Sequence, residues 1–372
     1  MTAQQPIDRP RARDAGIVLG VLPPGPLNAI TDVAGVRVGH ATVSFGEGAL
    51  APGRGPARTG VTAVIPAPGD LFAEKVPAAA AVFNGYGKTV GLMQIEELGQ
   101  LETPILLTNT LNVGKVADAL VGYMVEQHAA IGVTTSSVNP VVAECNDGYF
   151  NDIQGRHVGE AEVRAALAGA SGGPVAEGNL GAGTGMSCYG FPGGIGTASR
   201  RLTRGGVAFT VGALVLANFG RRRDLTIGGA PVGRELGEAP IVPERGSVIV
   251  VLATDAPLDA RQLGRLARRA SFGLARTGTT CGHGSGDLAL AFSTVNRIPH
   301  DASAVVRTVT VLNDNAAVLD DLFAGVVESV EEAVVNALCA ARPITGRDGR
   351  HREPLPVAEV VAILRRHGLA AG

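Results

Sequence analysis

Tryptophan is absent from this sequence, and aromatic residues make up only 4% of it. A core without large rings has to be built from Ala, Val, Leu and Ile, packed close because so many positions are small. Charge is scarce too: 18% of residues are charged and the formal net charge is −2. Such a near-neutral chain carries no electrostatic footprint for nucleic acid or for a polybasic membrane contact. It is also 45% hydrophobic, which is the opposite of a disordered composition. Basic charge is nearly all Arg, with lysine only at Lys75, Lys88 and Lys115. The four cysteines, Cys145, Cys188, Cys281 and Cys339, are far apart and form no CxxC pair. Neither a zinc knuckle nor a disulfide framework is signalled, and buried thiols in a reducing compartment are the simpler reading.

What is abundant is glycine, at 52 of 372 residues, with 22 prolines. The glycines have no three-residue period, so a collagen helix is excluded. The length is ample for a sizeable core. Met1–Asp14 is polar and lacks the apolar stretch of a signal peptide. Gly178–Ser199 is too weakly apolar to span a membrane, and Gly205–Gly220 is too short and bounded by Arg204 and Arg221. The expectation is a cytoplasmic protein without membrane or nucleic-acid partners and without metal or cofactor.

Short β-rich runs alternate with helical patterns, which predicts a mixed α/β protein. Strands are expected at Val36–Val43, Val61–Pro66, Ile105–Thr108, Val207–Ala217, Val248–Thr254 and Leu288–Ser293. Helices are expected at Val90–Gly99, Val116–Gln127, Gly159–Ala168, Asp259–Leu274, Ala316–Ala341 and Ala358–His367. The fifth shows an apolar stripe at Leu319, Leu322, Val326, Val330, Val334 and Leu338. Gly172–Gly196 reads as irregular, and Leu225–Gly246 as an exposed connector.

Familiar motifs fail position by position. Gly87-Lys88-Thr89 ends like a phosphate-binding loop, but Val82 stands where its first glycine belongs. Gly181 and Gly183 begin a dinucleotide fingerprint that Met186 breaks. The hydrolase elbow GxSxG fails at Ser187, where Tyr189 replaces the last glycine, and at Ser285, flanked by His283 and Asp287. No HExxH occurs, and His283 near Cys281 lacks partner spacing for a metal. The histidines point to no triad.

One local pattern carries chemistry. A Pro-containing loop ends in Gly246-Ser247 at the mouth of an apolar strand, VIVVLATDAPL. If the chain is cut there, Ser247 carries a hydroxyl nucleophile and a free α-amine on one residue. An α-amine has a pKa of about 7.7–8.0, so it can serve as general base for its own hydroxyl, and no histidine is needed. Gly246, lacking Cβ, can hold strained dihedrals and let the hydroxyl approach its carbonyl.

Several segments in order extend this pattern: NAITDVAGVRVGH (Asn28–His40), GVTAVIP (Gly60–Pro66), TNTLNVG (Thr108–Gly114) and NDGYFNDIQGR (Asn146–Arg156). They continue with GAGTGMSCYGFPGGIGTASR (Gly181–Arg200), ALVLANFG (Ala213–Gly220), RGSVIVVLATDAPL (Arg245–Leu258) and GHGSGDLALAFST (Gly282–Thr294). Together they resemble the DmpA family of self-cleaving N-terminal-nucleophile hydrolases, the L-aminopeptidase/D-esterase and β-peptidyl aminopeptidase group. The resemblance implies a four-layer αββα sandwich, similar to the ornithine acetyltransferases. It implies one catalytic domain cut into residues 1–246 and 247–372, and a homotetramer.

It also implies roles. Ser247 matches the nucleophile, Asn218 the oxyanion-hole asparagine and Tyr149 an active-site tyrosine. Ser285 and Asp287 match an auxiliary serine and acid, although some members carry Glu at the acid position and Asp is one methylene shorter. Independently, an aminopeptidase must neutralise a substrate ammonium, and Glu144 is the carboxylate beside NDGY that suits the task. The expected substrates are short peptides, amino-acid amides or esters with a free N-terminus. Two alternatives stand beside this reading: an acyltransferase of ornithine-acetyltransferase type, which would use threonine where this chain has Ser247, and a scaffold without chemistry.

Overall fold

The computed structural model describes residues 9–237, 245–301 and 304–370. Its principal strands are β1 (Arg37–Phe45), β2 (Ala57–Ile65), β3 (Glu74–Gly85), β4 (Ile105–Asn109), β5 (Val141–Cys145), β6 (Gly194–Arg204), β7 (Val207–Asn218), β8 (Arg245–Thr254) and β9 (Gly284–Ser293). Its principal helices are α1 (Leu92–Leu98), α2 (Val113–Gln127), α3 (Glu160–Ala168), α4 (Ala260–Arg276), α5 (Val318–Ala340) and α6 (Val357–Arg366). Strands β1-β2-β4-β5 form a small sheet, and β3-β9-β8-β7-β6 form the body of a large one, with the short strand Ile298–Pro299 beyond β3. The pairs β8/β9 and β4/β5 are parallel.

Alternation along β8 sorts the layers. Val248, Val250 and Leu252 pack with Leu263 and Leu266 of α4 and Val330 and Val334 of α5. Ile249, Val251 and Ala253 pack with Val61, Ala63 and Val142 of the small sheet. Strands buried on both faces read as continuous apolar runs, which is why VIVVLATDAPL was legible. Helices α2 and α3 cover the outer face of the small sheet. The result is the expected αββα sandwich.

Small residues set the layer spacing. A Cβ at Gly196 on β6 would stand 1.9 Å from the Ala333 carbonyl of α5, so that helix lies almost on the strand backbone. Across the same interface Arg200, fully buried, donates to Glu328 and Glu332 of α5 at 2.9 and 2.6 Å. Arg13 and Asn28 also donate to Glu332, while the Val21 and Leu22 amides donate to Glu328. The chain from Arg13 to Asn28 is thereby pinned to the central helix.

The predicted strands and helices recur with shifted ends. Two of these strands were not anticipated, β3 and β6, the second of which begins inside the glycine-rich run, while β5 was anticipated only as a strand end at Glu144. The exposed-connector reading of Leu225–Gly246 is corrected: Leu225, Ile227, Ala230 and Val232 are buried in the core. Residues 238–244 of that segment lie outside the described residues. Among the described residues no helix is long and apolar enough to cross a membrane.

Candidate active site

The large sheet brings Ser247 and Asn218 together by register. Antiparallel pairing sets Asn218, the last residue of β7, opposite Ser247 in β8, and parallel pairing sets Ser247 beside Gly286 in β9. Both polar side chains follow the alternation of Leu216 and Ile249, so they lie on the inter-sheet side of the sheet. Ser247 is 4% exposed, and its Oγ accepts a hydrogen bond from the Gly286 amide at 3.1 Å.

Gly246 is required on two grounds. Its φ of +135° lies where L side chains are strained,. A Cβ there would stand 1.9 Å from the Asn218 carbonyl oxygen and 3.0 Å from the Phe219 Cα. The position before Ser247 therefore admits only glycine and is wedged against the strand that carries Asn218.

The Asn218 amide is fixed in orientation. Its Oδ1 accepts from the Ser187 amide at 2.8 Å, and its Nδ2 donates to the Asn146 carbonyl at 3.0 Å. An amide nitrogen carries two hydrogens, so one remains for an oxyanion. Ser285 donates to Asp287 Oδ1 at 2.6 Å, and the same oxygen accepts from the Val248 amide at 3.1 Å. The acid thus reaches the backbone one peptide beyond the Ser247 nitrogen.

Beneath Ser247, the Cys145 thiol points at two carbonyls, Ser247 at 3.3 Å and Leu216 at 3.5 Å. Burial, then the charges of Glu144 and Asp287, push this thiol well above its ordinary pKa. It remains protonated and able to donate. The preceding residue, Glu144, is 2% exposed. It accepts from the Lys88 amide at 3.0 Å and from the Thr110 hydroxyl. No cation pairs with Glu144 among the described residues, so a buried carboxylate stands ready for a positive ligand. Asp147, two residues past Cys145, is pushed up to about 7, first by burial, with hydrogen bonds from Thr59 and Asn151 opposing.

Tyr149 is 40% exposed. Its ring packs edge-on against Phe150 and lies beneath the guanidinium groups of Arg350 and Arg352. It shares the loop of Asn146, yet its ring contacts run to the C-terminal ribbon (Ile344–Thr345 paired with His351–Arg352) and not to Ser247. Sequence reading missed Asn146, Ser187, Gly286 and Cys145 as supports. Asn146, Ser187 and Gly286 lie inside the quoted motifs, but they act through backbone groups, which residue type does not advertise. No histidine hydrogen-bonds Ser247 among the described residues, and no group of three His, Cys, Asp or Glu there is placed to hold a metal.

A serine at the mouth of an inner strand of a two-sheet sandwich, with an oriented amide opposite it, is an arrangement that suits an N-terminal-nucleophile hydrolase, and the relatives of the chain are of that class. Residues 28–352 match the model of peptidase family S58, and the chain belongs to that family. It is 43% identical to the β-peptidyl aminopeptidase BapA of Sphingosinicella microcystinivorans, over 96% of this chain and 92% of the relative. Its fold is similar to that of the PH0078 protein from Pyrococcus horikoshii OT3, with a TM-score of 0.92, 52% identity, and coverage of 96% and 99% of the two chains. It is also similar to the L-aminopeptidase D-Ala-esterase/amidase of Ochrobactrum anthropi, a prototype serine aminopeptidase with a variant N-terminal-nucleophile fold. There the TM-score is 0.90 and the identity 46%, over 98% and 100% of the chains. The protein is accordingly a peptide hydrolase of the serine aminopeptidase type, and the acetyltransferase and scaffold alternatives are set aside.

Proposed function

We propose that the chain cuts itself between Gly246 and Ser247 and then uses Ser247 as its catalytic nucleophile. The observation that carries this reading is the wedge at Gly246: a positive-φ glycine pressed against Asn218, with the Ser247 hydroxyl on the next residue. In the first step Ser247 Oγ attacks the Gly246 carbonyl, the C–N bond breaks and the Ser247 nitrogen takes the proton. Water then hydrolyses the ester, leaving a carboxylate on Gly246 and a free amine on Ser247.

In turnover that amine takes the hydroxyl proton as Oγ attacks the substrate carbonyl. The spare Asn218 hydrogen stabilises the oxyanion, an interaction worth roughly 3–4 kcal/mol in comparable sites. The proton passes to the leaving amine, and water releases the acid from the acyl-enzyme. Ser285 and Asp287 hold the backbone beside the new amine, Tyr149 positions the entrance, and Glu144 receives the substrate ammonium. Substrates are short peptides, amides or esters with a free N-terminal amine, with β-amino residues included on the strength of the BapA similarity. We further propose a cytoplasmic homotetramer, supported by the family resemblance and by four cysteines that form no disulfide.

Purified protein on a denaturing gel should give two bands, the smaller beginning at Ser247. Ser247→Ala should give one uncut chain without activity. A single intact band from active wild-type protein would sink the mechanism.

A further inference from the structure

Three consecutive arginines follow the β7 strand. Arg221 and Arg223 share Asp224, at 2.5 and 3.7 Å. The guanidinium of the middle one, Arg222, has no ion pair or hydrogen bond among the described residues. It lies flat on Phe191, 4.1 Å from the ring centroid, with its Nε buried and unpartnered. Arg352 is alike: its guanidinium sits 5.0 Å from the Tyr149 centroid, it forms no ion pair among the described residues, and its Nε is also buried without a partner there. Burial, and after it the charge of Arg352, hold Arg222 below the ordinary guanidinium value, so the two cations repel each other. The other cations nearby are engaged: Arg350 with the Tyr149 carbonyl and Asp348, and Arg58 with four backbone carbonyls.

Both unpaired cations border the candidate site. Arg222 rests on Phe191, in the ribbon Ser187–Cys188/Phe191–Pro192. The Ser187 amide of that ribbon orients Asn218, and the Ser187 hydroxyl donates to the Phe191 carbonyl. Arg352 rests on Tyr149, three residues past Asn146, whose carbonyl holds the other end of the same amide. Two aromatic-backed arginines without ion pairs among the described residues, each resting on a segment that orients Asn218, invite a planar anion, because guanidinium donors match a carboxylate fork,.

We propose that Arg222 and Arg352 bind the C-terminal carboxylate of a short peptide substrate. The inference rests on the aminopeptidase reading above. Glu144 would take the N-terminal ammonium, so the carboxylate falls on the leaving fragment. Two ends held by opposite charges make the favoured substrate a peptide of a few residues with a free acid terminus, ahead of the corresponding amide.

The test compares a dipeptide with its C-terminal amide, following release of the N-terminal residue by chromatography, beside the p-nitroanilide of the same residue. Wild type should show a kcat/KM for the acid about tenfold or more above that for the amide. Arg222→Gln and Arg352→Gln should each collapse this acid-to-amide ratio, mainly through KM for the acid. The ratio cancels any general loss of activity or folded protein. Arg352→Lys should restore part of it. If wild type cleaves acid and amide equally, or the ratio survives both substitutions, the carboxylate site is overturned while the aminopeptidase reading stands. If even the free-amine p-nitroanilide is not hydrolysed, both fall together.

Discussion

Two buried polar clusters lie on opposite faces of the large sheet, and they are built differently. On the helix face, Arg200 commits every nitrogen: to Glu328, to Glu332 and to the Ser199 and Leu19 carbonyls. Glu328 and Glu332 in turn have both oxygens engaged. On the inter-sheet face, Asn218 keeps one amide hydrogen in reserve, and Glu144, at the end of β5 in the small sheet, has no cation among the described residues. A saturated cluster fixes the N-terminal segment and the central helix in one arrangement. A cluster with unused capacity can bind and stabilise charge that arrives with a substrate, at some expense in stability. The contrast supports the proposed reacting face without reference to any motif.

The sharpest way to break the comparison is at Gly246. Gly246→Ala adds a Cβ at 1.9 Å from the Asn218 carbonyl and removes the residue type that tolerates a φ of +135°. A protein that folds around this change has to displace the scissile peptide. The expected outcome is a soluble chain, folded by circular dichroism, that stays as one band on a denaturing gel. Normal self-cleavage in this variant would show that the wedge is not needed.

The opposite cluster should respond in stability and not in chemistry. Glu332→Gln leaves Arg200 buried with one of its two carboxylates gone. Breaking a buried pair costs roughly 3–5 kcal/mol. Denaturant midpoints should fall accordingly, while self-cleavage and kcat per active site stay at the wild-type level. A variant as stable as wild type but slow in turnover would erase the division between the two faces.

Much of this was legible in the sequence because it is carried by residue type. The apolar run after Ser247 had to be an inner strand, and the stripe from Leu319 to Leu338 had to be a buried helix. The proposed nucleophile and its glycine could be named through the family resemblance, to which the local pattern adds a hydroxyl at a strand mouth after a residue without Cβ. The supports were harder. The Gly286 and Ser187 amides and the Asn146 carbonyl are backbone groups, available at almost any residue, and only register and loop geometry select them. Strands β3 and β6 escaped because the AAAA and GGIG stretches are dominated by Ala and Gly, which are depleted in strands, and their conformation is imposed by neighbours on both sides,. The segment from Leu225 to Val232 looked exposed because of its glycines and proline, yet four apolar side chains within it fill the core.

The smallest effect is expected at Asp147, which joins the reactive face through its neighbour Asn146. Its carboxyl is pushed from 3.8 up to about 7, chiefly by burial. The folded chain therefore keeps a proton that the unfolded chain loses above about pH 4. Between those values the native state binds more protons, so this group's contribution is present below pH 4 and is lost as pH rises towards 7. Glu177, pushed to about 7 by burial despite its ion pair with Arg11, has the same sign. Wild-type Tm should accordingly show a downward component between pH 4 and 7. Asp147→Asn should flatten it in part, leaving the share due to Glu177. The amide cannot ionise beside Glu144, so the loop holding Asn218 should also feel less repulsion at high pH. An unchanged pH slope in this variant would place the proton on another group.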